Sequence, residues 1–212
     1  MDIAKRSDSN PLLKPSDLKP GIEGMEITCL LNPGVFRMNG KTWLILRVAE
    51  RPAQVSGKIS FPVYNKRGEI EVLHFDKDDP LLDASDPRVI KYKGQNYLTT
   101  LSYFRLVCSE DDINFREDPA YPPVFGKGFL ESFGIEDCRV ATMEDGYYLT
   151  FTQVSPVAVG VGLMVTKDFR YFEHKGMIFP PHNKDCAIFE QKINGRYYAF
   201  HRPSSPELGG NY

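Results

Sequence analysis

Four glycine-containing turns, each followed by an aromatic residue, recur along this chain, and that repeat limits the possible folds more than any other feature. They are Gly40-Lys41-Thr42-Trp43, Gly94-Gln95-Asn96-Tyr97, Gly146-Tyr147-Tyr148 and Gly195-Arg196-Tyr197-Tyr198, with the glycines 54, 52 and 49 residues apart. A short apolar strand precedes each turn (34–38, 88–92, 139–143, 186–193), and a second follows it (43–48, 97–102, 147–154, 197–202). Third strands are expected at 58–64, 103–108 and 160–165. The last two lead into similar polar turns, Ser109-Glu110-Asp111-Asp112-Ile113-Asn114-Phe115 and Thr166-Lys167-Asp168-Phe169-Arg170-Tyr171-Phe172. There a hydroxyl or carboxylate can bond its own backbone ahead of an aromatic lid. Four antiparallel strands per unit, at a period of about 50 residues, describe a propeller blade.

The composition agrees. The 11 Tyr and 14 Phe suit strands, and the 17 Gly and 16 Pro suit the turns between them. No 3.6-residue apolar periodicity persists long enough for a substantial helix. The expected fold class is therefore all-β, a β-propeller. Residues 1–30 read as an N-terminal extension and 31–212 as a partial propeller. Three units read as complete, and a fourth begins at Asp185 and ends after its second strand. Because an open propeller leaves unpaired edges, the chain is expected to be the front part of a longer, five-bladed protein, covering about three and a half blades. The aromatics Trp43, Tyr97, Tyr148 and Tyr198 are expected between blades.

Several function classes are disfavoured. A net charge of −2 gives no electrostatic attraction to nucleic acid or an anionic membrane surface. No stretch approaches the roughly 18 apolar residues of a membrane span. The first twenty residues contain no apolar core of a secretory signal, and Cys29, Cys108, Cys138 and Cys186 stand far apart with no C-x-x-C spacing. Reduced thiols, a cytoplasmic location and no metal or cofactor are expected.

The starts of the first strands carry the chemistry. They read Asn32-Pro33-Gly34, Ser85-Asp86-Pro87-Arg88, Gly134-Ile135-Glu136-Asp137-Cys138-Arg139 and Asn183-Lys184-Asp185-Cys186. The first strand of each blade lines the central channel, so ring geometry would gather Asn32, Asp86, Asp137 and Asp185 at one mouth. Carboxylates interleaved with Arg47, Arg88, Arg105, Arg139 and Arg202 suit a ligand rich in hydroxyls. An acid among like charges keeps its proton to higher pH and can act as a general acid. The competing reading of Asp86-Pro87-Arg88 is a structural turn with a local ion pair. His74, His174 and His182 read as ordinary turn or surface residues.

At these residues the chain resembles glycoside hydrolase family 130, the β-mannoside phosphorylases and β-mannosidases. The matching segments run from Asn32 nearly to the end: Asn32-Pro33-Gly34 with Arg47, Asp86-Pro87-Arg88-Val89 leading to Tyr97-Leu98-Thr99, Gly134-Ile135-Glu136-Asp137, Thr166-Lys167-Asp168-Phe169, residues 180–185, and His201-Arg202-Pro203. The resemblance implies a five-bladed propeller, a site at the channel mouth, and Asp137 as general acid, acting in phosphorylases through a sugar hydroxyl. It implies a substrate with a β-linked mannose at its non-reducing end, cleaved with inversion. Asn32, Arg47, Asp86, Arg88, Glu136, Arg139 and Asp185 would bind that saccharide, and Lys184, His201 and Arg202 would cradle inorganic phosphate as co-substrate. Where the family motif continues with Pro, this chain has Cys138. Hydrolysis through a second carboxylate remains the alternative, and a non-catalytic carbohydrate-binding propeller the second. Oligomeric state stays open, a homo-oligomer included.

Overall fold

The computed structural model describes residues 7–65, 67–205 and 210–211. Apart from two short 3-10 turns, Pro15–Asp17 and Phe129–Glu131, the regular structure described is all strand. None of the described helices is long and apolar enough to cross a membrane.

Strands β1 (Met25–Met38) and β2 (Lys41–Pro52) form the first hairpin. Its turn, Asn39-Gly40, has both residues at positive φ (51° and 74°). That two-residue geometry matches the right-handed twist of paired strands, and Lys93-Gly94 and Asn194-Gly195 repeat it. After β2 the chain leaves the sheet. It forms a hairpin, β3 (Lys58–Tyr64) with β4 (Ile70–Asp76), then a three-stranded sheet of β5 (Leu82–Asp86), β6 (Val89–Tyr92) and β7 (Gln95–Leu98). It returns as β8 (Leu101–Ser109) to pair along β2, from Glu50 opposite Leu101 to Thr42 opposite Ser109, and β9 (Arg116–Glu117) completes the blade.

The strand assignment therefore differs from the one expected. Strand 58–64 pairs with β4 and not as the third member of the first unit, and strand 103–108 belongs to the first blade. Residues 53–100 are an insertion within one blade. The glycine spacing marks hairpins, whereas sheet membership rests on the long-range pairing of β2 with β8.

The second blade follows the expected plan: β10 (Ile135–Met143), β11 (Gly146–Val154), β12 (Val159–Thr166) and β13 (Glu173–Phe179) in sequential order. The next sheet is β14 (Asn183–Ile188), β15 (Ala199–Ser205) and β16 (Gly210–Asn211). These sheets are blades of a β-propeller.

The core between the first two blades is aromatic. Phe36, Trp43, Phe104, Phe151 and Phe169 are all buried, with Phe36 and Phe169 stacked at 4.2 Å between centroids. Each such side chain contributes roughly 1.5–3 kcal/mol by leaving water. Of the four aromatics expected between blades, Trp43 sits there. Tyr97 packs on Phe61 and Phe75 inside the insertion, Tyr148 bonds Asp145, and Tyr198 is exposed.

The other face of the first blade is covered by the N-terminal segment, through Leu13, Leu18 and Ile22 against Leu46, Val48, Tyr103 and Val107. Glu50, fully buried, pins it by accepting from the Gly21 and Ile22 amides at 2.7 and 3.1 Å and from the Tyr103 hydroxyl at 2.5 Å. Glu50→Leu leaves three donors without their acceptor, the buried Tyr103 hydroxyl among them, so it should lower unfolding free energy by about 3 kcal/mol, measured by urea titration.

Candidate active site

Three first strands carry the same irregularity at the same place. In β1 residues 32 and 33 stand opposite one residue of the partner strand, in β10 residues 137 and 138 do so, and in β14 residues 185 and 186. The leading residue of each bulge is left-handed: Asn32 at φ 37°, Asp137 at 53° and Asp185 at 53°. Asn and Asp adopt this region at lower cost than other residues with a Cβ, and a bulge re-aims the side chain it carries.

Close backbone approach brings the first two of these residues together. A Cβ on Gly34 would lie 2.7 Å from the Cys138 carbonyl oxygen, so only glycine lets β1 meet β10 at this depth. The same holds at Gly134 (φ 102°), where a Cβ would overlap the Ser102 carbonyl and lie 2.9 Å from its nitrogen. Asn32 Nδ2 then donates to Asp137 Oδ1 at 3.0 Å.

Arg47, on β2, organises the pair of acids. Its Nη1 donates to the same Asp137 Oδ1 at 3.0 Å, its Nη2 to Glu136 Oε1 at 2.5 Å, and its Nε to Ser102 Oγ at 3.1 Å. Both donors lie on Oδ1 of Asp137, which leaves Oδ2 without a protein donor among the described residues. The three charged side chains are mostly shielded, at 17 to 19% exposure. Burial raises the Glu136 carboxyl above the ordinary carboxylate range. Arg47 and Lys184 oppose the rise, and the Asp137 charge adds to it.

On the third sheet Lys184 stands opposite Arg202, and Arg202 Nη2 pairs with Asp185 Oδ2. Arg202 Nε is buried without a partner among the described residues. His201 bonds the Asn183 side chain at 2.9 Å and stacks on Phe179 at 4.2 Å. Arg139 is exposed and donates to the Pro33 carbonyl at 3.2 Å. Arg105 turns away from the channel, tied to Glu117 and the Lys19 carbonyl. Cys138 is fully buried and its thiol is pushed far up by that burial, which makes it a packing residue.

Asp86 and Arg88 occupy a different position from the one the repeat suggested. They sit in the turn between β5 and β6 of the insertion, and Asp86 lacks the left-handed backbone of its expected counterparts. Arg88 Nε and Nη2 clasp the Asp86 carboxylate at 3.1 and 2.9 Å, holding it down to about 2. The turn nevertheless faces the site, because Arg88 lines a cleft of about 870 Å³ that also touches Arg47 and Glu136. Ser102 is the residue that sequence reasoning missed. No local pattern marks it, since its role depends on β8 lying beside β2.

Residues 108–208 match the glycoside hydrolase family 130 profile, described as beta-1,4-mannooligosaccharide phosphorylase. The chain is 44% identical over 210 residues to the beta-1,2-mannobiose phosphorylase of Listeria innocua serovar 6a, covering 96% of this chain and 59% of that protein. It is 32% identical over 114 residues to a 1,2-beta-oligomannan phosphorylase of Thermoanaerobacter, covering 52% and 37%. The solved structure of the Listeria innocua enzyme in complex with beta-1,2-mannobiose superposes with a TM-score of 0.88, over 96% of this chain and 59% of that one. The chain thus spans about three fifths of the length of that relative. Its blades are those of a five-bladed propeller, and the chain is similar to the phosphorylases of glycoside hydrolase family 130.

Proposed function

We propose that the protein cleaves β-mannosidic bonds of manno-oligosaccharides by inverting phosphorolysis, releasing α-mannose 1-phosphate and a saccharide shortened by one unit. The Listeria innocua and Thermoanaerobacter relatives support a β-1,2-linked substrate. In the reaction a phosphate oxygen forms a bond to the anomeric carbon while the bond from that carbon to the glycosidic oxygen breaks on the opposite face. The leaving oxygen takes a proton that originates on Asp137 Oδ2, relayed by a sugar hydroxyl as the family resemblance implies. Asn32 and Arg47 hold the other oxygen, so this proton starts from a fixed point. Glu136 and Arg139 border the same mouth and are assigned to the sugar hydroxyls.

The observation that carries phosphorolysis over hydrolysis is the balance of charge around Asp137. Arg47, Lys184 and Arg202 face Glu136, Asp137 and Asp185. When Asp137 carries the proton it is assigned to deliver, three cations face two carboxylates, and that surplus of positive charge suits a phosphate anion. Lys184, His201 and Arg202 are assigned to it. Hydrolysis through Asp185 would need that carboxylate free to activate water, and it is engaged by Arg202.

Incubating the full-length protein with β-1,2-mannobiose, with and without inorganic phosphate, tests this. Mannose 1-phosphate should form only with phosphate, and cleavage should stop in its absence. Equal mannose release in both reactions makes the protein a hydrolase. No cleavage under either condition, with binding retained, makes it a carbohydrate-binding propeller.

A further inference from the structure

Glu131 is a buried carboxylate with no part in the proposed chemistry. It is 2% exposed and stands in the 3-10 turn Phe129–Glu131, shortly before Asp137 in the chain. A carboxylate is costly to bury without a cation. Among the described residues the one basic group within 4.0 Å is the His174 ring, and burial holds that ring toward its neutral form. What the carboxylate fixes is backbone shape. Its Oε2 accepts from the Lys127 amide at 2.6 Å and closes the loop that leads into the turn. Its Oε1 accepts from Gln153 Nε2 at 2.8 Å, and Gln153 stands opposite Ile135 at the start of β10. One side chain thus ties the approach segment to the partner strand of β10. The Glu131 carbonyl adds to the tie by accepting from the Gly134 amide at 2.8 Å. A Cβ on Gly126 would lie 2.7 Å from that same carbonyl, so loop and turn meet backbone on backbone.

Gly134 is where this tie reaches the site. Its backbone bridges to Ser102, and Val154 bonds both Phe133 and Gly134. Ser102 Oγ accepts from Arg47 Nε, and Arg47 in turn holds Glu136 and Asp137. We propose that Glu131 is a positioning residue for the acid. It sets Gly134 against Ser102 and, through Ser102 and Arg47, the direction of the Asp137 carboxyl. The inference rests on the reading of Asp137 as proton donor, and it involves no contact with saccharide or phosphate. The role requires a bond on each side of the carboxyl rather than a negative charge, since both donors are neutral N–H groups.

Two substitutions separate that role from the filling of space. Glu131→Met keeps the volume and removes a buried charge, so the variant should fold, but neither bond can form. Turnover of β-1,2-mannobiose by the full-length protein should fall about tenfold, part of what a displacement of about 1 Å costs. KM for mannobiose and for phosphate should stay within about twofold, because ground-state binding is untouched. Glu131→Gln should restore turnover to within about threefold, since an amide can make both bonds. Its oxygen accepts from Lys127, and its N–H donates to the Gln153 side-chain oxygen, which is buried without a partner among the described residues.

Ser102→Ala completes a double-mutant cycle with Glu131→Met. Either change breaks the same path, so the pair should cost about tenfold, as much as one alone. Losses that multiply, to about a hundredfold for the pair, overturn the proposal. So does unchanged turnover in Glu131→Met, a rise in KM in place of the fall in turnover, or a loss that Glu131→Gln does not restore. If Glu131→Met fails to fold, Gln153→Met, which removes one of the two donors, takes its place in the cycle. Normal turnover in Asp137→Asn defeats the proton-donor reading separately, and the coupling of Glu131 to Ser102 is still read with Asp137 intact. Cleavage that needs no phosphate defeats phosphorolysis alone, and the same cycle is then measured on hydrolysis. No cleavage under either condition defeats both readings.

Discussion

Asp137→Asn should lower turnover of mannobiose by about 10²–10⁴, the contribution of a general acid, while the fold survives. The amide keeps the volume of the carboxyl and can still accept from Asn32 and Arg47 through its oxygen. It also keeps the left-handed backbone at φ 53°, which Asn tolerates. What it loses is the ability to release a proton from the second position. Substrate affinity should change far less than turnover, because the proton is needed in the transition state. Near-normal turnover on a mannoside with a poor leaving group would remove Asp137 from this role. Asp86→Asn is the comparison: its carboxylate serves the exposed turn of the insertion, so turnover on an aryl β-mannoside should stay within about twofold.

Arg47→Met should be nearly as damaging to activity and worse for stability. A single guanidinium supplies the contacts to Asp137, Glu136 and Ser102. Its loss frees the acid to move, and a displacement of about 1 Å at a reacting group can cost on the order of 10²-fold in rate. It also leaves two adjacent, largely shielded carboxyls without their cation, and breaking such a pair costs about 3–5 kcal/mol. Partial exposure places the expected loss at the lower end.

The same variant makes a pH prediction. The Glu136 carboxyl is already raised by burial, and Arg47 is the main influence opposing that rise. Without it, folded Glu136 holds its proton at pH values where the unfolded chain, near 4.3, has released it. Stability of the variant should therefore fall as pH rises through that window, and lowering the pH from about 7 to about 5 should recover part of the loss. Urea unfolding at the two pH values measures it. A variant equally stable at both would mean that Glu136 does not depend on Arg47.

The all-β architecture was legible because hairpin turns are local. A positive-φ pair such as Asn39-Gly40 is written in two residues, and an apolar strand on each side confirms it. Sheet membership was not legible for the insertion. Asp86-Pro87-Arg88-Val89 resembles Asp137-Cys138-Arg139-Val140 in letters, and both precede a glycine hairpin, yet one lies in an inserted sheet and the other on a channel strand. What separates them is the pairing of Glu50 with Leu101 across the whole insertion. The site was partly readable for the same reason. Asn32, Glu136 and Asp137 announce themselves as polar residues beside glycines in turns. Ser102 sits in a run of nine buried residues, where nothing distinguishes a hydroxyl that orients an arginine from one that fills space.

The left-handed bulges at Asn32, Asp137 and Asp185 imply a restricted alphabet for the channel ring. A branched or bulky side chain at such a φ is strained, so each socket accepts Asn, Asp or Gly and little else. Amide and carboxylate are nearly the same shape, so exchanging them changes the charge of the ring by one unit while the strands stay where they are. Members of this fold can thus retune the affinity of the channel for anions, or switch a proton donor on and off, by single exchanges at sockets far apart in sequence. The blade beneath each socket need not be rebuilt.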